Sequence, residues 1–113
     1  MIRLTNLILQ KAVTVGATDI HMEPERDEGR VRFRVDGVDC ILHDVMSIPE
    51  EIQSAVVSRI KILAELDIAD RIRPQDGRMR VEVNGKPLDL RISTVPVRSS
   101  EKVVIRILDP SAT

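Results

Sequence analysis

Arginine is the residue type in this sequence with the clearest capacity for chemistry, and it recurs at alternate positions. The chain of 113 residues holds 13 arginines against 4 lysines. A guanidinium group donates paired hydrogen bonds in a planar fork that fits carboxylates and phosphates, whereas a lysine ammonium is a flexible point charge. Seven arginines alternate with other residues in strand-like segments: Arg30, Arg32, Arg34, Arg78, Arg80, Arg91 and Arg106. If these segments share one sheet, the seven side chains lie on one polar face.

Two roles fit such a face. The arginines can form cross-strand ion pairs, each contributing little to stability. The nearby carboxylates for such pairs are Asp36, Asp39, Glu82 and Asp89. Alternatively, some of the arginines bind a phosphate or the acidic surface of a partner. From spacing alone, we favour the ion pairs.

Other patterns of catalytic residues are absent from the sequence. A phosphate-binding P-loop needs two glycines five residues apart, followed by Lys and Ser or Thr. The Gly85-Lys86 pair is followed by Pro87 and has Arg80 where the first glycine belongs. The sequence also has no GxGxxG segment, nucleophile elbow or zinc-ligand spacing. We therefore predict no catalytic residue in this chain.

Asp19, His21 and Glu23 occupy alternate positions of a predicted strand and form a conceivable metal triad. Such side chains spread over about 13 Å, too far for one ion without a further ligand. We predict no metal site and assign the three residues to an edge or an interface.

The lone Cys40 excludes a disulfide framework and is expected in the core, and His43 is expected in solvent.

Composition excludes several classes of protein. Hydrophobic residues at 42% and charged residues at 31% are typical of a globular chain, and its length suits one domain. Phe33 is the only aromatic residue and the net charge is −1, so we predict no nucleic-acid partner. No aliphatic run approaches the length of a bilayer span, and no export signal is visible, which favours the cytoplasm.

Hydrophobic periodicity predicts the order helix, three strands, helix, three strands. The first helix covers 2–16 and ends at Gly16. The second follows a capping box, Ser47-Ile48-Pro49-Glu50, and runs to about Glu65. Its predicted core-facing stripe is Ile52, Ala55, Val56, Ile60, Leu63 and Leu66. An irregular connector occupies 67–74.

The predicted strands share a period of two and cover 18–23, 30–35, 38–45, 77–83, 88–93 and 102–108. The turn signals between strands are Asp36-Gly37, Asn84-Gly85 and Ser99-Ser100. Pro96 is expected to end the fifth strand. Residues 29–37 and 77–85 are identical at five of nine positions, which suggests a helix-plus-hairpin unit used twice. One polar face per strand favours an antiparallel sheet in an α+β domain.

Residues 16–24, GATDIHMEP, resemble the G-A-S-D-I-H-I/L-E-P signature of the GspE/PilB-type ATPases, which power type II secretion and type IV pilus assembly. The similarity covers nearly the whole chain. It continues through RFRVDG (32–37), SRIKILAELDIA (58–69), RPQDGR (73–78), DLRISTVP (89–96) and EKVVIRILD (101–109). Two departures are Thr18 in place of Ser and the lack of a glycine before Glu101, which can change the last hairpin turn.

The resemblance implies that residues 1–109 form the second N-terminal, PAS-like domain of such an ATPase, with an antiparallel sheet and two main helices. Residues 110–113 would begin the linker to an absent P-loop motor domain. The domain is expected to position nucleotide and to contact neighbouring subunits of a hexamer, not to hydrolyse ATP. ATP and Mg²⁺ are expected in the full-length protein, and neither in this fragment alone.

By position in the resemblance, Arg91 and Arg106 are expected to contact nucleotide phosphates. Period-two alternation places both on one sheet face, with Leu90, Ile92, Ile105 and Ile107 buried behind them. The candidate interface residues are Arg78, Asp19, His21 and Glu23.

The implied partners are the protein's own motor domain, neighbouring subunits and inner-membrane platform proteins of the secretion or pilus machine. The location is cytoplasmic, peripheral to the inner membrane through those partners. Two alternatives remain. One is an interface module that never meets nucleotide. The other is a stand-alone PAS-like ligand sensor, which is disfavoured because pocket-forming aromatic residues are missing.

Overall fold

Antiparallel strands form one sheet with two helices on one of its faces. The computed structural model describes residues 2–35, 42–97 and 100–108. Its elements are α1 (Ile2–Thr14), β1 (Ala17–Pro24), β2 (Glu28–Val35), β3 (Leu42–Pro49), α2 (Glu50–Leu63), β4 (Gln75–Val83), β5 (Lys86–Val97) and β6 (Ser100–Leu108). The strand order is β3-β2-β1-β6-β5-β4. The predicted α+β class, with an antiparallel sheet and two helices, is confirmed.

Some predicted features lie outside the described residues. They are the turn at Asp36-Gly37, the start of the third strand at 38–41, the core position of Cys40, the acids Asp36 and Asp39, the turn residue Ser99 and the linker at 110–113.

The core lies on the helix-covered face of the sheet. One apolar row crosses four neighbouring strands from Ile92 through Ile105 and Ile20 to Phe33, each residue directly opposite the next. All four side chains are buried. The helices cover this row with Ile8 and Ala12 of α1 and with Val56, Val57 and Ile60 of α2. Burial of these alternating residues leaves the intervening polar residues on the opposite face.

The predicted duplication of a helix-plus-hairpin unit does not match the sheet. Residues 29–35 belong to β2, which lies between two strands, whereas residues 77–83 belong to β4 at the edge. The repeat therefore reflects two similar strands and not equivalent places in two copies of a unit.

The capping box predicted at Ser47–Glu50 is wrong. Strand β3 continues through Ser47 and Pro49, which pair with Arg30 and Glu28 of β2. Helix α2 starts at Glu50, with Pro49 at the N-cap and no side-chain cap hydrogen bond. Cross-strand pairing holds Ser47 away from the helix, and the acidic residues of the first turn stabilise the helix dipole instead.

Pro96 does not end β5. The strand runs to Val97, and Pro96 pairs with Glu101 of β6. On the other side of β5, pairing with β4 stops at Thr94. Pro96 therefore has a strand neighbour on one side only, where a missing N–H is tolerated as it is on an edge strand.

The turn between β4 and β5 matches its prediction. Val83 pairs with Lys86, so Asn84 and Gly85 form a two-residue hairpin turn. Both have positive φ, 54° and 77°, as in the type I′ turns that Asn-Gly favours. This turn fixes the register between β4 and β5.

A buried ion pair lies within the core. The Lys61 side chain of α2 is 1% exposed, and its Nζ lies 2.6 Å from Glu101 Oε2 of β6. Nζ also donates a 3.0 Å hydrogen bond to the carbonyl oxygen of Asp70. One ammonium thus ties α2 and β6 to the connector that leads into β4. Of the predicted stripe of α2, Val56 and Ile60 are fully buried, and Gln53 and Lys61 are buried with them.

Replacing Glu101 with Leu should destabilise the fold by about 3–5 kcal/mol, because the Lys61 ammonium would remain buried without its counter-charge. In the double variant Lys61→Met/Glu101→Leu, part of this loss should be recovered because no buried charge remains. Urea denaturation followed by far-ultraviolet circular dichroism measures the free energy of unfolding of each variant. Strictly additive losses from Lys61→Met and Glu101→Leu would contradict the coupling.

Candidate functional site

The polar face of the sheet that the helices leave uncovered, here called the open face, carries a row of directly opposed charged residues. The row runs from Arg78 of β4 through Arg91 of β5 and Arg106 of β6 to Asp19 of β1 and Arg34 of β2. Directly opposite residues of antiparallel neighbours lie on the same face and close together. We call Arg78, Arg91 and Arg106 the arginine row.

Two open-face arginines of β2, Arg30 and Arg32, are neutralised by carboxylates of Glu25 and of Asp44 in β3. Arg30 Nε donates a hydrogen bond to Glu25 Oε1 at 3.0 Å, and its NH1 donates to Asp44 Oδ2 at 3.2 Å. Arg32 Nε donates to Asp44 Oδ1 at 2.9 Å. The two arginines thus share one carboxylate across the strands, as the ion-pair interpretation predicts for this face.

On β4 and β5, the acidic residues next to the arginine row also accept hydrogen bonds from neighbouring side chains. Arg80 Nε donates a 2.7 Å hydrogen bond to Asp89, which holds the pKa of that carboxyl below its ordinary value. This confirms one of the predicted acidic partners. The Ser93 hydroxyl donates a 2.8 Å hydrogen bond to Asp76 Oδ1. Acidic groups therefore lie on both sides of the arginine row, each already with a partner.

Asp19 bridges two arginines at the centre of the sheet. Its Oδ1 lies 3.5 Å from Arg106 Nε, and its Oδ2 lies 3.8 Å from Arg34 Nε. The Asp19 side chain is 11% exposed, whereas the Arg106 side chain is 64% exposed. One carboxylate shared by two guanidinium groups leaves excess positive charge, and most of the Arg106 side chain faces solvent.

Within the part of the chain that the structure describes, Arg78 and Arg91 have no such partner. Both are exposed, and neither makes an ion pair or side-chain hydrogen bond with the described residues. With Arg106 they line a depression of about 380 Å³, bordered by Asp76 and Ser93. Since like charges directly opposite one another destabilise a sheet, the fold holds these three cations together against their mutual repulsion.

The predicted geometry of Arg91 and Arg106 is confirmed except at Ile107. The two residues are direct cross-strand neighbours on the open face. Of the residues expected behind them, Leu90, Ile92 and Ile105 are buried and Ile107 is half-buried.

Among the described residues, four acidic partners of the open-face arginines were not predicted by the sequence: Asp19, Glu25, Glu28 and Asp44. Alternation places Asp19 on the polar side of β1, but its proximity to Arg106 depends on the pairing of β1 with β6. Glu82, a predicted partner, forms no ion pair with the described residues.

The candidate interface residues of β1 lie on the open face, but they do not converge on one point. Asp19 contacts the two arginines, and Glu23 Oε1 lies 3.6 Å from Lys102 Nζ. His21 is half-buried between them along the strand. Within residues 2–35, 42–97 and 100–108, no three His, Cys, Asp or Glu side chains are arranged to hold a metal ion.

Comparison with known proteins identifies the family of this chain. All of residues 1–113 match the model of the family described as Type II/IV secretion system protein. The chain belongs to this family. Its relatives are type II secretion proteins and type IV pilus assembly ATPases, as the signature at 16–24 indicated.

Three curated relatives show the extent of the similarity. The chain is 53% identical over 109 residues to type II secretion system protein E of Xanthomonas campestris pv. campestris, covering 96% of this chain and 19% of that protein. It is 46% identical over 111 residues to the type IV pilus assembly ATPase TfpB of Acinetobacter baylyi, covering 97% and 18%. It is 43% identical over 113 residues to the type II secretion system ATPase E of Vibrio cholerae, covering 100% of this chain and 22% of that protein.

The chain thus spans about a fifth of the length of these secretion and pilus proteins. In the part of this family member that the structure describes, neither helix has the length and apolar character needed to cross a bilayer.

His21 is a titratable group on the open face of this secretion-family chain. Burial lowers the pKa of His21 below its ordinary 6.5, and the Lys102 ammonium lowers it further. Asp19 and Glu23 act in the opposite direction, and Arg34 adds to the lowering. The folded chain therefore favours neutral imidazole.

The stability of the chain should consequently rise with pH just below 6.5. Between the lowered pKa of folded His21 and the 6.5 of an unperturbed imidazole, the unfolded state binds the additional proton. Urea denaturation from about pH 5 to about pH 7.5 measures this slope. His21→Gln should remove the contribution, and the matched variant His43→Gln should leave it in place. An unchanged slope in His21→Gln would contradict this account.

Proposed function

We propose that this chain is the nucleotide-positioning and subunit-interface domain, PAS-like in fold, of a hexameric ATPase that powers type II secretion or type IV pilus assembly. The observation that carries the proposal is the direct opposition of Arg91 and Arg106 on the open face. Guanidinium forks suit phosphoryl oxygens, which gain charge during phosphoryl transfer. The names of its relatives, a secretion ATPase and pilus assembly ATPases, support the assignment.

In this proposal, Arg91 and Arg106 contact the phosphates of an ATP that lies between this domain and a P-loop motor domain. The buried residues Ile92 and Ile105 anchor the two strands behind the arginines. Asp19 occupies the Nε edge of Arg106 and leaves its other N–H groups for a phosphate. Donors held in place before the reaction stabilise developing charge without reorganisation.

ATP and Mg²⁺ belong to the full-length protein in this proposal. The arginines fit the triphosphate by the chemistry of their donors. Magnesium takes oxygen ligands, largely carboxylates, phosphates and water. Because Asp19 is engaged by two arginines and Asp76 by Ser93, we expect the ligands of Mg²⁺ to come from the nucleotide and the motor domain.

The partners in this proposal are the motor domain, neighbouring subunits of the hexamer and inner-membrane platform proteins, in the cytoplasm. Asp19, His21, Glu23 and Arg78 remain candidates for the subunit interface. A rival proposal is a module whose arginine row binds an acidic protein surface and never meets nucleotide. Arg78 and Arg91, which pair with none of the described carboxylates, are compatible with it, so the experiment must separate assembly from nucleotide contact.

In a full-length ATPase that carries this chain as its corresponding region, Arg91→Gln or Arg106→Gln should lower kcat/KM for ATP hydrolysis about tenfold to a hundredfold. Each variant removes charged hydrogen bonds to phosphate and should leave the hexamer intact. Activity and mass photometry are measured on the same samples. The matched control is Arg80→Gln, which removes the same charge from an arginine already bound to Asp89.

Loss of the hexamer in proportion to the loss of activity would favour the interface module. Activity equal to that of Arg80→Gln in both variants would contradict phosphate contact.

The 113-residue chain by itself should hydrolyse no ATP, because its sequence has no P-loop. It should bind ATP with a Kd of about a millimolar or weaker. Two charge-assisted contacts of about 1.5–3 kcal/mol each are opposed by an association cost of several kcal/mol. Titration calorimetry and phosphate release check both expectations. A micromolar Kd would reveal a second nucleotide site.

A further inference from the structure

Arg78 lies in line with the two proposed phosphate contacts. It is directly opposite Arg91, which is directly opposite Arg106. The three Cα positions therefore form a line across β4, β5 and β6, perpendicular to the strands. With a spacing of about 4.8 Å between neighbouring strands, the Cα atoms of Arg78 and Arg106 are about 9.6 Å apart.

Among the described residues, no carboxylate forms an ion pair with Arg78. The acids at the neighbouring open-face positions of β4 and β5 are Asp76, which accepts a hydrogen bond from Ser93, and Asp89, which accepts one from Arg80. Arg78 also lowers the pKa of Asp89, but its effect is smaller than that of Arg80. Its guanidinium faces the same depression as Arg91 and Arg106.

The repulsion between the three arginines lowers the stability of the sheet unless an anion from outside the domain binds between them. Directly opposed like charges destabilise a sheet, and here the same repulsion occurs twice in succession. The open-face arginines of β2 show that this sheet can provide carboxylates: Arg30 and Arg32 share Asp44. Among the described residues, no carboxylate is shared in this way by two members of the arginine row.

We infer that Arg78 is a third phosphate-contacting residue and that the arginine row selects a chain of three linked phosphates over a chain of two. The inference rests on the proposed function, since it extends the contact made by Arg91 and Arg106. A linear polyanion lying across the three strands meets one guanidinium fork per strand. A shorter polyphosphate meets Arg91 and Arg106 and leaves Arg78 unoccupied.

The test is a titration of the 113-residue chain with inorganic tripolyphosphate and with pyrophosphate at low ionic strength. Binding is followed by NMR shifts of the arginine Nε–H groups, which remain measurable at millimolar Kd. Arg78→Gln should weaken tripolyphosphate binding about tenfold and pyrophosphate binding less than about twofold. Arg91→Gln should weaken both. Arg78→Lys should recover only part of the loss, because it restores charge without the fork.

Arg80→Gln is the matched control, since it removes one positive charge from the same strand and face. It should change both Kd values by less than about twofold. Equal effects of Arg78→Gln and Arg80→Gln would overturn the inference, because they would show a general charge effect. Backbone amide spectra and circular dichroism test whether each variant is folded. We expect both to fold, because Arg78 and Arg80 are exposed.

The remaining outcomes separate this inference from the proposed function. If Arg91→Gln weakens tripolyphosphate binding and Arg78→Gln does not, the inference alone is overturned. If neither Arg91→Gln nor Arg106→Gln has an effect, or if the chain does not bind tripolyphosphate, the proposed function is contradicted as well. Stronger binding of an acidic peptide than of tripolyphosphate would assign the row to a protein partner and overturn the inference.

Discussion

The pairing of β1 with β6 is the constraint on which the site depends. These strands come from opposite ends of the chain, and their register places Asp19 beside Arg106 and Ile20 beside Ile105. On the helix-covered face, the pairing completes the apolar row that anchors the sheet to its helices. On the open face, the same pairing joins the arginines of β5 and β6 to the carboxylate of β1. One set of backbone hydrogen bonds therefore determines both the core and the charged surface.

A second interaction links the outer strands of the arginine row. Lys61 binds Glu101 at the start of β6 and the carbonyl oxygen of Asp70 in the connector before β4. Strands β4 and β6 both flank β5 and carry Arg78 and Arg106. A buried ion pair contributes less to net stability than to fixing one arrangement of groups, because desolvation offsets much of its attraction. We attribute to Lys61 the fixing of the two strands relative to α2.

Local patterns predicted the strands well because burial on one side imposes a period of two. That period placed Arg91 and Arg106 on one face, with Leu90, Ile92 and Ile105 behind them. The failures concern contacts between segments distant in sequence. Ser47 had a cap motif, but the competing ladder with Arg30 extended β3. Proline usually ends a strand, but β5 continues through Pro96 because pairing with β4 stops at Thr94 and no hydrogen bond to β4 is needed there. Asp19 became the shared partner of two arginines only through the register of three strands, which no local pattern contains.

The Asn84-Gly85 turn limits which changes in chain length this region tolerates. Its two residues set the alignment of Arg78 with Arg91, because the ladder begins at the pair Val83–Lys86 and continues without interruption. Insertion or deletion of a single residue there would reverse the side-chain direction of one strand relative to the other unless a bulge absorbed it. Members of the family that keep the arginine row should therefore vary in the identity of the turn residues more readily than in their number.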